Sequence, residues 1–232
     1  MDETLKRSQP ILSEAGIEKL RHARVAVFGL GGVGGAVVEA LVRSGVGAID
    51  LIDGDNVSKS NINRQIIATQ DTLGKPKTSV MKDRVLSIRP ETKVIERTEY
   101  FKTETADTFD FSGYTYVVDA IDDVPSKIAL IEKAKKSGVP VISAMGAGNK
   151  LDPTAFKVSD ISLTSVCPLA KAVRKGLREK NITGVKAVYS TEESASPVFE
   201  NGKTVPASVS FVPPVMGYIL AGEVIKDICF SL

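Results

Sequence analysis

The sequence predicts an α/β fold: a doubly wound, mostly parallel sheet with helices on both faces and a mixed extension at its C-terminal end. Three observations predict it. Short apolar, β-branched runs alternate with helical segments as far as Ala144, which is the rhythm of strand-helix-strand crossovers. A cluster of glycines joins the first run to an apolar helix, and carboxylates close several of the runs at the end where such sheets bind ligands.

Within residues 1–22, a helix is expected over Ser13–Arg21, with Arg7 ahead of it on a segment free to reach outward. Arg24–Phe28 then has the continuous apolar character of a strand covered on both faces. The chain turns through Gly29, Gly31, Gly32 and Gly34 into a helix centred on Val37–Val42, which stops near Gly45 and Gly47. Glycine suits such a turn because the backbone angles are unusual, a phosphate must approach bare main chain, and the helix must pack tightly on the strand. A polyphosphate at the helix N-terminus meets unpaired N–H groups and the positive end of the macrodipole. Asp53, about twenty residues beyond the turn, is placed to accept hydrogen bonds from a ribose. A turn without ligand is the alternative, and the motif alone does not choose between nucleotides.

The segment Ser58–Ile66 crowds Asn61, Asn63, Arg64 and Gln65 just after the acidic tip Asp53-Gly54-Asp55. Amide and guanidinium groups there are donors aimed at a polyphosphate. Lys77 opens a helix running to Ile88; a lysine in a first helical turn opposes the macrodipole and suggests a compensating anion, with a solvated surface lysine as the alternative. Strands follow at Lys93–Thr98 and Tyr116–Ala120, the second ending at Asp119 and Asp122. A helix over Pro125–Lys136 and a strand over Pro140–Ala144 complete the alternation. Beyond it, strands at Phe156–Ile161 and Val185–Tyr189 flank a helix at Pro168–Lys180, a mobile loop is expected over Ser190–Val205, and a strand at Ser208–Val212 precedes a last helix.

Composition narrows the class. A chain of 232 residues, 43% hydrophobic and 25% charged, is long enough for one substantial domain. A net charge of +2 gives no whole-chain attraction to nucleic acid, so any such binding must come from a local patch. Two distant cysteines, Cys167 and Cys229, with no C-x-x-C, point to a reducing compartment, the cytoplasm, and away from structural zinc. The apolar C-terminal run is interrupted by Pro213, Pro214, Glu223, Lys226 and Asp227, so stable membrane insertion is not expected.

Together, the glycine turn, Asp53, Asp55, Asn61, Arg64, Gln65, Lys77 and Asp122 describe a site that binds ATP, neutralises its phosphates and keeps one carboxylate, Asp122, for magnesium. Hydride transfer needs no Arg/Lys pair aimed at phosphate, whereas attack on phosphorus does.

The motifs G-L-G-G-V-G, D-G-D, S-N-I-N-R-Q, G-K-P-K and D-A-I-D, in this order, resemble the ThiF/MoeB/HesA-like adenylating enzymes, which share the Rossmann-like fold of ubiquitin-activating enzymes. The match spans roughly residues 7–150. The resemblance implies that a carboxylate attacks the α-phosphate of ATP. It assigns Asp53 to the ribose, Asn61, Arg64 and Lys77 to the phosphates and Asp122 to Mg²⁺. It also implies a homodimer in which Arg7 completes the partner's site, and a sulfur-transfer or cysteine-desulfurase-system partner.

The C-terminal segments LDPTAFKVSDISLTSVCPLAKAVRKGLREK and FVPPVMGYILAGEVIKD resemble the tRNA threonylcarbamoyladenosine dehydratase branch. That branch implies adenylation of the threonine carboxylate of a modified adenosine and ring closure with loss of water. A tRNA substrate gives Lys171, Arg174, Lys175, Arg178 and Lys180 a phosphate-binding role, with a solvated helix face as the alternative. Residues 1–232 are then one adenylating domain: an N-terminal arm (1–22), a nucleotide-binding core (23–150) and a C-terminal extension (151–232) with a tRNA-facing helix. The competing readings are an adenylyltransferase for the Gly-Gly tail of a sulfur carrier, an inactive nucleotide-sensing scaffold and, more distantly, an NAD-dependent oxidoreductase. Cys167, just before a helix, is a candidate thioester nucleophile or an inert, incidental cysteine.

Overall fold

The structure is a computed structural model that describes residues 3–195, 198–200 and 203–231. Its main sheet has seven strands: β1 (Arg24–Phe28), β2 (Ala48–Ile52), β3 (Lys93–Arg97), β4 (Tyr116–Asp119), β5 (Val141–Ala144), β6 (Phe156–Asp160) and β7 (Lys186–Ser190). Their order is β3-β2-β1-β4-β5-β7-β6, with every neighbouring pair parallel except the antiparallel edge pair β6/β7. The order reverses between β1 and β4. At that switch point the two crossovers leave in opposite directions and open a crevice beyond the carboxyl ends of the strands.

Seven α-helices accompany the sheet among the described residues: α1 (Gln9–Leu12), α2 (Glu14–His22), α3 (Gly32–Arg43), α4 (Lys77–Ile88), α5 (Val124–Lys136), α6 (Pro168–Glu179) and α7 (Val212–Lys226). Both faces of the sheet are covered, which explains the unbroken apolar character of β1. Val25 and Val27 enter one core with Leu41, Met81 and Leu220, while Ala26 and Phe28 enter the other with Leu130, Val173 and Leu177. The second core holds an aromatic cluster the sequence reading did not identify: Phe28 lies 5.3 Å from Phe101, 5.8 Å from Phe109 and 5.7 Å from Phe111 between ring centroids. These rings, on the irregular connection between β3 and β4, cover sheet surface that a helix covers elsewhere.

Two expectations need correction. The strand anticipated over Ser208–Val212 is absent; Val212 already opens α7, with proline in its first turn, where a missing N–H leaves no bond unmade. Ser208 is instead held by the Asn63 amide, which donates to its carbonyl at 3.0 Å. The loop anticipated over Ser190–Val205 includes a two-stranded hairpin, β8 (Val198–Glu200) with β9 (Lys203–Val205); residues 196, 197, 201 and 202 lie outside the described residues. Among the described residues no helix is long and apolar enough to cross a membrane.

The all-round apolar character of α7 comes from its position against α3. At Gly217 a side chain would have its Cβ 2.3 Å from the carbonyl oxygen of Val33, so the two helix backbones are nearly in contact. Gly217→Ala is expected to push the helices apart at a cost of about 1–3 kcal/mol, read as a lower urea midpoint; an unchanged midpoint would show that α3 and α7 are not so closely packed.

Candidate nucleotide site

A cleft of about 570 Å³ lies at the switch point, over the tips of β1, β2, β4 and β5. Its first wall is the glycine turn. Gly29 has φ +89°, and a Cβ there would lie 2.6 Å from the carbonyl oxygen of Ala120, so only glycine serves both the backbone angle and the contact with the β4 tip. Gly29, Gly31 and Gly32 line the cleft. Gly34 does not; it lets α3 pack on the turn, since a Cβ there would sit 1.7 Å from the Gly29 oxygen. The N-cap Gly31 offers no side-chain acceptor, which leaves the first N–H groups of α3 for a ligand.

Asp53, nearly buried, anchors this wall. One carboxylate oxygen accepts the Leu30 N–H at 2.6 Å and the other the Asp55 N–H at 2.8 Å. A carboxylate has about four lone-pair sites, so capacity remains for ribose hydroxyls.

The charges lining the cleft divide into satisfied and unsatisfied groups. Lys77 is buried, and its ammonium lies 2.7 Å from Asp55 and 3.7 Å from Asp53. The compensating anion anticipated for this lysine is therefore supplied, at least in part, by the protein itself. Burial alone would raise the Asp55 carboxyl, but hydrogen bonds from Lys77 and the Tyr100 hydroxyl outweigh it and hold it below the usual carboxylate range. Tyr100, whose own pKa is pushed up to about 12 by that hydrogen bond and then by burial, lies flat against Gly54, where a Cβ would meet its ring at 2.7 Å. The sequence reading missed Tyr100, although its position just past β3 at the carboxyl edge was a usable signal.

Arg64 is different. Its guanidinium donates to the Ser60 carbonyl at 3.0 Å and to Asn63 Oδ1 at 2.7 Å, and no carboxylate lies within ion-pair distance among the described residues. Burial pushes its pKa down, as expected for a cation without an anion. Asn61 is buried, its Oδ1 accepting the Ser58 N–H at 3.0 Å. Gln65 is only 6% exposed, and its side-chain oxygen has no partner. A buried orphan acceptor at the edge of a polar cleft is a place for a ligand donor or an ordered water. Asn63 is not among the residues that line the cleft; its amide donates to Ser208 and its oxygen accepts from Arg64, so it buttresses two lining residues where the sequence grouped it with the phosphate donors.

Asp122 lines the cleft, is exposed, and has no hydrogen bond or ion pair among the described residues. Its neighbour Asp123 is committed to capping α5, accepting the Ser126 N–H at 2.9 Å. No group of three or more His, Cys, Asp or Glu side chains is placed to hold a metal among the described residues. A single free carboxylate beside a phosphate subsite is nevertheless the donor set that Mg²⁺ uses, because phosphate and water oxygens complete its shell.

Arg7 is not in this cleft. It is exposed, and its segment lies by the loops that lead into the amino ends of β2 and β3, where Leu5 packs against Gly45 and Thr4 accepts from Arg89 at 3.2 Å. The basic cluster on α6 is also narrower than anticipated: Arg174 donates to the Thr164 carbonyl at 2.8 Å, Lys180 lies 2.7 Å from Glu132 and Lys175 3.9 Å from Glu179. Lys171 and Arg178 remain exposed without such partners among the described residues. Cys167 is buried behind the cleft wall, 3.3 Å from where a Cβ on Gly146 would be.

A family model described as the ThiF family matches residues 5–230. The chain belongs to the ThiF family. Among curated ThiF-like relatives, the tRNA threonylcarbamoyladenosine dehydratase of Bacillus subtilis (strain 168) is 41% identical over 239 residues, covering 96% of this chain and 93% of the relative. That of Escherichia coli (strain K12) is 37% identical over 195 residues, covering 81% and 73%. The crystal structure of the E. coli tRNA N6-threonylcarbamoyladenosine dehydratase, TcdA, in complex with ATP superposes with a TM-score of 0.89 at 33% identity, covering 97% of this chain and 93% of that one. The mostly parallel α/β architecture read from the sequence is thus that of the ThiF family, with one antiparallel edge pair.

The Asp55–Lys77 pair gives this ThiF-family site a pH signature. The Asp55 carboxyl lies lower in the folded chain than its ordinary value of 3.8, so its contribution to stability is present above that value and is lost as pH falls through the folded value. Asp55→Asn is expected to lower urea stability near pH 7, and the gap to wild type should narrow as the pH is taken progressively below 3.8; a gap independent of pH would show that the ion pair is not its source.

Proposed function

We propose that the chain is an ATP-dependent tRNA threonylcarbamoyladenosine dehydratase. The observation that carries the reading is the pairing of an open glycine-turn helix N-terminus with an arginine, Arg64, that has no carboxylate partner among the described residues. Such a cleft asks for a polyphosphate, and the near full-length likeness to dehydratases supplies the acyl substrate.

In this reaction an oxygen of the threonine carboxylate bonds to the α-phosphorus of ATP, and the bond from that phosphorus to the bridging oxygen breaks, releasing pyrophosphate. The carbamoyl group of the same nucleotide then attacks the acyl carbon. The acyl C–O bond breaks, AMP leaves with the former carboxylate oxygen, a proton is lost and the ring closes, so the tRNA loses one water in all. With the nucleophile carried by the substrate, no enzyme cysteine is required, which agrees with Cys167 being buried.

Asp53 receives the ribose, the α3 N-terminus and Arg64 take the phosphates, and Asn61 and Gln65 fix the α-phosphate and the incoming carboxylate. Lys77 exchanges part of its contact with Asp55 for phosphate oxygens. Asp122 would hold a Mg²⁺ ion, which would supply charge neutralisation at the phosphates. Lys171 and Arg178 contact tRNA phosphates. Residues 1–232 act as one adenylating domain, working as a cytoplasmic homodimer in which Arg7 reaches the partner's cleft, with a sulfur-transfer or cysteine-desulfurase system as a further partner.

Incubation with ATP, magnesium and threonylcarbamoyl-modified tRNA is expected to give a nucleoside lighter by one water on mass spectrometry. Arg64→Ala should lower turnover by about a hundredfold or more without lowering the melting temperature. Pyrophosphate release driven by a Gly-Gly-tailed carrier protein and not by the modified tRNA would overturn the assignment.

The dimer has its own test. Arg7→Ala and Arg64→Ala chains, each inactive alone, should regain about a quarter of wild-type activity when unfolded and refolded together, because half the dimers are mixed and each carries one complete site. No recovery would mean that Arg7 serves no partner's site.

A further inference from the structure

Directly beneath the cleft lies an ion pair to which nothing above assigns a role. Lys127 and Asp119 are both 0% exposed, with 3.0 Å between the ammonium and the carboxylate. The Lys127 ammonium also donates to the carbonyl of Ile121 at 2.8 Å, and Asp119 accepts the Ile121 N–H at 3.2 Å and the Ser143 hydroxyl. Both backbone polar groups of Ile121 are therefore held by this one buried pair, and the next residue is Asp122. On the other side of Asp122, the Asp123 side chain caps α5. The exposed carboxylate that faces the cleft is fixed from both flanks, although its own side chain has no partner among the described residues.

Stability gives little reason for such a pair. A fully buried lysine must be stripped of water, and its placement in the first turn of α5 sets it against the helix dipole as well. Replacing both members of a buried ion pair by apolar side chains of similar volume is often neutral or stabilising. What the pair does specify is the conformation of the 120–122 tip: the Ala120 carbonyl abuts Gly29, the Ala120 N–H donates to the Phe28 carbonyl at 2.8 Å, and Ile121 is tied above and below.

We propose that Lys127, through Asp119 and Ile121, is the positioning residue of the site: it holds Asp122 at the height and angle from which its carboxylate meets the metal on the nucleotide phosphates. This rests on the reading of Asp122 as the magnesium carboxylate. Lys127 touches neither nucleotide nor metal and acts only through the backbone it holds. A mobile Asp122 would still carry its charge but would spend part of its time away from the bound ion.

The test uses the full chain and needs no tRNA. ATP affinity is measured by calorimetry with magnesium and with EDTA for wild type, Asp122→Asn, Lys127→Met, and the double variant Asp119→Leu with Lys127→Met, alongside the melting temperature of each. The double variant is expected to fold, melting below wild type because the Ile121 N–H and carbonyl and the Ser143 hydroxyl lose their partners, and to bind ATP in EDTA within about threefold of wild type. The gain in affinity on adding magnesium should fall by about tenfold, as in Asp122→Asn. A wild-type magnesium gain in the double variant would overturn the inference. Failure of the double variant to fold would overturn it too, because the pair would then be structural. If Lys127→Met alone unfolds, leaving Asp119 buried and unpaired, the double variant decides. An unchanged magnesium gain in Asp122→Asn would sink the reading of Asp122, and the inference with it. A responsive Asp122→Asn with an unresponsive double variant sinks the inference alone.

Discussion

The site depends on one nearly buried carboxylate. Asp53 stands at the end of β2 and receives two main-chain N–H groups, Leu30 from the glycine turn and Asp55 from its own tip, at 2.6 and 2.8 Å. A carboxylate that accepts backbone donors away from water is worth more than a neutral acceptor there, and it adds to the Gly29 N–H bond to the Ile52 carbonyl that already brings the two loops together. The turn is thereby held open against the Ala120 carbonyl, α3 points its N-terminus into the crevice, and Asp55 is turned toward Lys77 and Tyr100. Every later feature of the cleft uses this arrangement.

Around that anchor, the charges are arranged so that some are answered within the chain and some are not. Lys77 shares two carboxylates, and Asp119 and Lys127 answer each other in full burial. Arg64 and Asp122 have no opposite charge among the described residues, and Gln65 retains an orphan oxygen. An arginine and a carboxylate left open at one crevice suit a ligand bearing both anionic oxygens and a cation, as a metal polyphosphate does. A nicotinamide dinucleotide would use the glycine turn and Asp53 but has less use for the rest.

Much of this was legible in the sequence where local physics decides. Arg24–Phe28 reads as a doubly covered strand because residues facing both sides are apolar, and Lys77–Ile88 begins where Pro76 ends the preceding turn. The misses share a cause. The segment Ser208–Val212 has strand-like composition, yet it forms no ladder, because Asn63 holds Ser208 and α7 starts at Val212. Asn63 resembles its neighbours Asn61 and Arg64 in sequence but faces the C-terminal segment. The lysines and arginines of α6 share a helix face, but Glu132 on α5 and the Thr164 carbonyl, both supplied by other segments, occupy two of them.

The sequence by itself determined the alternation of strands and helices, the glycine turn and the order of the polar motifs, because each rests on periodicity or on backbone freedom within a few residues. Only the tertiary structure decided which polar groups are already satisfied. Lys77 and Lys127 are both lysines in first helical turns, yet one borders the cleft and the other lies entirely beneath it. Their partners, Asp55 and Asp119, come from the tips of β2 and β4, strands that flank β1 in the sheet. Such pairing is a matter of distance in the folded chain, and residues far apart in sequence carry no local signal of it.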